Sequence, residues 1–101
     1  MYEITATIGL YVNAEKRTWP KAIVRERIDE LFPCASITWG EGVWKGQWEE
    51  NVTLSVGSEE RQGIEDARRN ILALGLSLRQ EAIYVLGEGV VYLPCFPSQR
   101  I

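Results

Sequence analysis

The sequence predicts an α+β fold in which a four-stranded antiparallel sheet carries two helices on one face. Stretches in which apolar and polar residues alternate, as in half-buried strands, are separated by stretches in which apolar residues recur every three or four positions, as in amphipathic helices. The chain has 101 residues with 46% hydrophobic content, which suffices for one domain with a single core. We therefore expect residues 1–101 to form one domain.

The first strand and the first helix occupy the N-terminal third of the chain. Apolar and polar residues alternate from Tyr2 to Val12, which predicts a strand with one buried face. After a polar loop, Thr18 is placed to cap a helix whose first turn contains Trp19 and Pro20. This helix continues through Lys21–Phe32, where the apolar residues form a single stripe.

A hairpin follows the first helix. Alternation from Ala35 to Trp39 predicts a second strand, with Trp39 facing the core, and alternation from Val52 to Val56 predicts a third. Trp44 and Trp48 share the parity of the third strand. We therefore expect these two tryptophans on one face of a long hairpin.

The C-terminal half repeats the pattern of helix and strand. Ser58 is placed to cap a helix that extends to about Arg79, and Gly75 inside it indicates either close packing or an early helix end. Residues 81–86 read as the last core strand, and the apolar run Val90–Leu93 predicts a short fifth strand.

The order strand, helix, strand, strand, helix, strand is the split βαβ pattern of ferredoxin-like folds. Right-handed crossovers then place both helices on one face of an antiparallel sheet. The expected strand order is 4-1-3-2, which leaves the other sheet face open.

Charge and composition argue against nucleic-acid binding. The formal net charge is −3 and the pI is about 5.0, whereas binding to phosphates requires basic surfaces. Tyr11 is the one aromatic residue expected on the open face, and single-stranded RNA binders stack bases on several. We expect no direct contact with nucleic acid.

Metal and cofactor sites are not expected. Cys34 and Cys95 are isolated and the chain has no histidine, so neither zinc spacing nor a zinc ligand set is present. We expect two reduced thiols, because the predicted topology puts the cysteines at opposite sheet edges. The glycine pairs at 40 and 42 and at 87 and 89 lack the phosphate-loop pattern and are interpreted as hairpin turns.

Catalytic residues are not evident in the sequence. Without histidine, the commonest general base at neutral pH is missing. The carboxylate pairs Glu49 with Glu50 and Glu41 with Glu88 are candidates. Adjacent strand residues point to opposite faces, however, and solvated charges explain these carboxylates better. We assign no catalytic residue.

The hairpin offers a candidate surface for binding a protein. Trp44 and Trp48 are candidate anchors because tryptophan is enriched in interface hot spots. Glu41, Glu49 and Glu50 are candidates to pair with arginine or lysine of a basic partner.

Three segments resemble small uncharacterised ferredoxin-like proteins of phages and mobile elements: residues 42–49, the strand Asn51–Val56, and residues 78–83, which include Gln80-Glu81-Ala82. This resemblance implies a genomic setting in which small acidic proteins block host machinery.

Two functional hypotheses follow. The first is a non-enzymatic protein-binding module in the cytoplasm, an inhibitor of a host defence or nucleic-acid-processing complex. The alternative is a dimeric small-molecule-binding or enzymatic domain whose open sheet faces meet around a cleft. A pocket at that interface that contains Glu88 or Glu81 would favour this alternative. Small polar residues and one tyrosine would line that cleft: Thr5, Thr7, Tyr11, Thr53 and Ser55. We expect a homodimer through this face, because an uncovered open sheet face is otherwise hard to explain. We expect no membrane association, because the chain lacks a long apolar run and a signal sequence.

Overall fold

A computed structural model describes residues 1–94, and Cys95 and the rest of the predicted C-terminal tail lie outside the described residues. The helices and strands form one sheet with a helical layer, together with a small separate hairpin. In chain order they are β1 (Tyr2–Gly9), β2 (Tyr11–Val12), β3 (Arg17–Thr18), α1 (Lys21–Leu31), β4 (Ser36–Trp44), β5 (Gln47–Ser58), α2 (Arg61–Ser77), β6 (Ala82–Val85) and β7 (Gly89–Tyr92).

The main sheet has the order β4-β5-β1-β6-β7, and every neighbouring pair is antiparallel. The four predicted strands are β1, β4, β5 and β6, so the predicted α+β class and the order 4-1-3-2 are confirmed. The short fifth strand is also present, as β7, and it pairs with β6 at the sheet edge.

The core lies between the sheet and the helices. Strand alternation and the helical stripes converge there as predicted, since the fully buried side chains include Ile8, Val24, Leu54, Ile71 and Leu74. Burial of this apolar area supplies the main favourable term in folding.

Helix α2 passes through Gly75 without a break. A Cβ atom at this position would lie 2.9 Å from Leu93 Cδ1 and 3.0 Å from Ile83 Cγ2. The glycine therefore allows α2 to pack closely on β6 and the chain after β7, rather than ending the helix early.

Both predicted helix caps are wrong. Thr18 belongs to β3, and Pro20 occupies the cap position of α1. Trp19 lies outside the helix, where its indole Nε1 donates a hydrogen bond of 2.8 Å to the carbonyl oxygen of Leu78. Ser58 belongs to β5 because its pairing with β1 continues to this residue, so α2 begins later than predicted.

The first predicted strand is divided. β1 ends at Gly9, and the backbone N–H of Leu10 donates to the carbonyl oxygen of Glu50. Beyond it, β2 pairs with β3 in the small hairpin instead of extending the main sheet. Among residues 1–94, no helix has the length and apolarity needed to cross a membrane.

The hairpin of β4 and β5 is continuous up to a two-residue turn. Trp44 pairs with Gln47, and Lys45 and Gly46 between them have φ values of 53° and 78°. Positive φ at both central residues is typical of a type I′ turn, which suits the twist of the flanking strands.

Candidate functional site

The two-residue turn sends the hairpin tryptophans to opposite faces of the sheet. Residues paired across two antiparallel strands share a face, and Trp44 pairs with Gln47 whereas Trp48 pairs with Val43. Trp44 is half-buried on the open face, and Trp48 is 69% exposed on the helix side. The prediction that both lie on one face is wrong, because the chain reverses direction between them.

The three predicted acidic residues divide in the same way. Glu41 and Glu50 face each other across the hairpin on the side of Trp48, whereas Glu49 lies opposite Gly42 on the open face. The five predicted contact residues therefore belong to two surfaces. Their role in contacting a protein partner stays a prediction.

A cleft of about 1020 Å³ lies on the open face, at the end of the sheet where the hairpin turns. Its walls come from the ends of β1, β4, β5, β6 and β7 and from the chain between α2 and β6. Side chains that line it include Tyr11, Trp44, Glu49, Gln80, Glu81 and Tyr84.

Glycines and an asparagine shape the hairpin side of this cleft. Cβ atoms added at Gly40 and Gly42 would each lie 3.2 Å from the side-chain amide of Asn51, so this amide lies across both glycines. The interpretation of this glycine pair as a turn is wrong, because both residues are within β4. The missing side chains leave the space that this amide occupies. The second pair, Gly87 and Gly89, does form a turn with φ values of 93° and 88°.

The Glu49 carboxylate extends over the backbone of Gly9. A Cβ atom at Gly9 would collide with Glu49 Oε1 and would lie 3.4 Å from Gln80 Oε1. Gln80 is itself held by two hydrogen bonds of 3.1 Å, which its Nε2 donates to the carbonyl oxygens of Tyr11 and Leu78. Three segments that are distant in sequence therefore meet around one carboxylate.

Partial burial raises the pKa of Glu49, and the nearby charge of Glu81 raises it further. Burial removes water from the charged form, and a like charge opposes ionisation. A carboxylate whose pKa is raised inside a cleft is a candidate functional group. The pairing of Glu49 with Glu81 was not predicted, because strand order alone does not give the positions of these two carboxylates along the sheet.

Glu88, whose presence in a pocket would have favoured the alternative hypothesis, does not line this cleft. Glu88 accepts hydrogen bonds of 2.7 Å and 3.0 Å from the guanidinium group of Arg68 in α2. This contact lowers the pKa of Glu88. Glu81, the alternative named from the sequence, does line the cleft.

Two of the polar residues expected to line a cleft between two subunits also line this cleft within one chain. Thr7 and Tyr11 line the cleft, whereas Thr5 lies farther along the open face and shares a hydroxyl hydrogen bond of 2.9 Å with Ser55. Thr7 shares a similar bond with Thr53. These hydroxyl pairs lie between neighbouring strands, outside the part of the open face that the cleft occupies, except for Thr7.

The cleft combines carboxylates, a fixed amide and aromatic rings. Such a set suits a cation attached to a flat heteroaromatic group, since carboxylates and ring faces both attract cations. Within residues 1–94, no three histidine, cysteine, aspartate or glutamate side chains are grouped so as to hold a metal ion. The described cysteine, Cys34, is an exposed free thiol.

Comparison with known proteins gives two structural neighbours. No protein-family model matches the chain, and no match was found among curated proteins. The fold is similar to that of a phage SAM lyase. One solved structure, a phage SAM lyase in complex with S-methyl-5'-thioadenosine, has a TM-score of 0.66 and 20% identity, covering 93% of this chain and 89% of that chain. A phage SAM lyase in the apo state has a TM-score of 0.63 and 20% identity, with coverages of 82% and 75%.

This comparison contradicts the predicted non-enzymatic inhibitor. Both neighbours are lyases by name, and the five residues predicted to contact a protein lie on two faces. The alternative hypothesis, a small-molecule-binding or enzymatic domain that uses a cleft on the sheet face, is favoured.

Proposed function

We propose that this chain is an enzyme that binds S-adenosylmethionine in the cleft and releases S-methyl-5'-thioadenosine from it. The proposal is carried by the partly buried carboxylate of Glu49, which shares a cleft with the ring of Trp44. The similarity of the fold to a phage SAM lyase supports it.

The proposed substrate matches the chemistry of the cleft. S-adenosylmethionine joins an adenine ring to a sulfonium cation and an amino-acid group. The cleft provides carboxylates for the cations and rings of Tyr11, Trp44 and Tyr84 for stacking. Its volume of about 1020 Å³ is at the upper end of the roughly 300–1,000 Å³ of small-molecule sites.

A lyase reaction of this substrate proceeds without water. The substrate's own carboxylate oxygen attacks Cγ of the methionine portion, and the bond between Cγ and sulfur breaks with both electrons moving to sulfur. The products are neutral S-methyl-5'-thioadenosine and homoserine lactone, which keeps the ammonium group. Atoms and charge balance, and no proton is transferred.

This reaction explains how a chain without histidine can be a catalyst. Nucleophile and leaving group belong to one molecule, so the protein supplies orientation instead of a general base. The reacting carboxylate and sulfonium charges cancel in the transition state. Water stabilises the separated charges better than that state, so a cleft that excludes water favours the reaction.

Glu49 is proposed to bind the sulfonium group. Because the positive charge declines toward the transition state, this contact stabilises bound substrate more than the transition state. Loss of the carboxylate therefore acts mainly on KM. We expect Glu49→Gln to raise KM by about tenfold, the effect of one charge-assisted contact.

Purified protein incubated with S-adenosylmethionine tests the proposal, with products followed by liquid chromatography and NMR. Wild type is expected to release S-methyl-5'-thioadenosine and homoserine lactone in equal amounts. Gly9→Ala is expected to act like Glu49→Gln, because the new methyl group occupies the place of the Glu49 carboxylate.

Glu50→Gln is the matched control, since Glu50 is adjacent in sequence and lies on the opposite face. It is expected to keep the wild-type KM. A folded wild-type protein that releases no S-methyl-5'-thioadenosine would contradict the proposed activity. Equal KM values for Glu49→Gln and Glu50→Gln would contradict the assigned site.

A phage origin and a cytoplasmic location are parts of the same proposal. The structural neighbours are phage proteins, and S-adenosylmethionine is an intracellular metabolite. Expression in a bacterial cytoplasm is then expected to lower the cellular content of this metabolite.

A further inference from the structure

One ion pair connects the two sides of the cleft at its mouth. Lys45 lies in the turn between β4 and β5, and Glu81 directly precedes β6. Lys45 Nζ donates a hydrogen bond of 2.9 Å to Glu81 Oε1. Because β5 and β1 separate β4 from β6 in the sheet, this contact spans the open face rather than joining neighbouring strands.

The lysine ammonium group is close to the aromatic wall as well. Its Nζ lies 5.4 Å from the ring centroid of Trp44, within the range of a cation–π contact. The hydrogen bond to Glu81 raises the pKa of Lys45. A primary ammonium group is therefore held at the point where a carboxylate and an aromatic ring of the cleft meet.

The pair is easily opened. The side chains of Lys45 and Glu81 are 65% and 55% exposed, and exposed ion pairs contribute little to stability because water and salt screen them. A ligand that brings its own ammonium group can replace Lys45 on Glu81 at small cost.

The other charged groups of the cleft are less suited than Glu81 to bind the ammonium group of a ligand. Arg79 is directed to Glu15, with 3.3 Å between Arg79 Nε and Glu15 Oε2. Glu49 lies deeper, over Gly9 and beside Gln80. Glu81 at the wetter mouth is suited to the charged amino-acid end of a ligand, with the nucleoside end placed against Trp44.

We infer that Glu81 binds the α-ammonium group of the substrate. The ammonium group of Lys45 occupies this position when no substrate is bound, and the substrate displaces it. This inference rests on the proposed function, since it assigns a further part of the same substrate. S-Methyl-5'-thioadenosine lacks the α-ammonium group and gains nothing from Glu81. The pair therefore selects substrate over product, and Lys45 returns to Glu81 after turnover.

Two non-reacting nucleosides test the inference by calorimetric titration. S-Adenosylhomocysteine carries the amino-acid group, and S-methyl-5'-thioadenosine lacks it. Glu81→Gln is expected to weaken the binding of S-adenosylhomocysteine by about tenfold. Lys45→Met removes the competing ammonium group and is expected to tighten the binding of the same ligand by at most about fivefold. Binding of S-methyl-5'-thioadenosine is expected to stay unchanged in both variants.

The opposite signs distinguish recognition from a structural role, because loss of either partner of a structural pair acts in the same direction. Circular dichroism and thermal unfolding verify that both variants fold. Weaker S-adenosylhomocysteine binding in both variants, or unchanged binding in Glu81→Gln, overturns the inference. If wild type cleaves S-adenosylmethionine while both variants bind S-adenosylhomocysteine with wild-type affinity, the inference alone is wrong. If wild type binds neither nucleoside, the proposed function falls with it.

Discussion

Glu49 and Glu50 show how one position along a strand changes the chemistry of a carboxylate. They are adjacent in β5, yet Glu49 enters the cleft and Glu50 faces Glu41 on the other side of the hairpin. Burial and the charge of Glu81 raise the pKa of Glu49. An ionised carboxylate in this position has a cost in stability.

We expect Glu49→Gln to stabilise the protein at neutral pH. The pKa of Glu49 lies above its ordinary value of 4.5, so the folded state binds this proton more tightly than the unfolded state does. Stability is then greatest below that ordinary value and falls as pH rises through the raised pKa. Because Glu49 is only partly buried, solvent screens this effect, and the expected rise in Tm at pH 7 is only about 1–3 °C.

Thermal unfolding at pH 7 and at pH 4 measures this effect. The difference between Glu49→Gln and wild type is expected to shrink at the lower pH, where the carboxyl is protonated. Glu50→Gln serves as the control on the other face. A gain in Tm that is the same at both pH values would show that ionisation of Glu49 is not its cause.

At the level of elements, helix α2 depends on the absence of a side chain at Gly75. The sequence indicated either close packing or a helix end, and the helical periodicity fits both. The short distances from Gly75 to Ile83 and Leu93 show that close packing is the correct interpretation and that the helix does not end there. Since Ile83 precedes and Leu93 follows the β6–β7 turn, this glycine seats the strands that carry one wall of the cleft.

Gly75→Ala is expected to destabilise the fold by about 1 kcal/mol. Alanine improves helix propensity by on the order of 1 kcal/mol, but overpacking against β-branched Ile83 costs roughly 1–3 kcal/mol. Urea unfolding measures the balance. Ala73→Gly, at an exposed position of the same helix, calibrates the propensity contribution. A Gly75→Ala protein that is more stable than wild type would refute tight packing.

For the whole molecule, the open face carries exposed apolar groups both in the wall of the cleft and beside it. Tyr84 pairs with Val90, and Tyr92 pairs with Ala82. Tyr84, Val90 and Tyr92 are all exposed. Exposed apolar patches of this kind are typical of interaction surfaces. The homodimer through the open face, expected from the sequence, stays a prediction, and these residues would form its contact.

Light scattering after size-exclusion chromatography tests the dimer. The expected mass is twice the 11.5 kDa of one chain. Tyr92→Ser is expected to shift the protein toward monomer, because it removes an apolar group from the proposed contact. Trp48→Ser is the matched control: Trp48 is 69% and Tyr92 is 68% exposed, and they lie on opposite faces. Monomeric wild type, or equal dissociation by both changes, contradicts this interface.

The strands and helices were predictable because each contains its own periodicity. Their ends were less so: Ser58 and Thr18 have the side chains of helix caps but belong to strands, since pairing with β1 and β2 outweighs a local cap. The parity of Trp44 and Trp48 failed for a related reason. Counting residues predicts the face of a strand only while the chain does not turn.

The sequence by itself determined the fold class, the strand order and the composition of the core, because these follow from local periodicity and from the handedness of connections. It also named Trp44 and Glu49 as candidate protein contacts, and Glu81 as a carboxylate whose presence in a cleft would favour the alternative hypothesis. Only the tertiary structure decided that these three line one cleft, since they come from β4, β5 and the residue that precedes β6. Sheet pairing, a two-residue turn and the space left by glycines bring them together, and none of these distances is encoded by spacing along the chain.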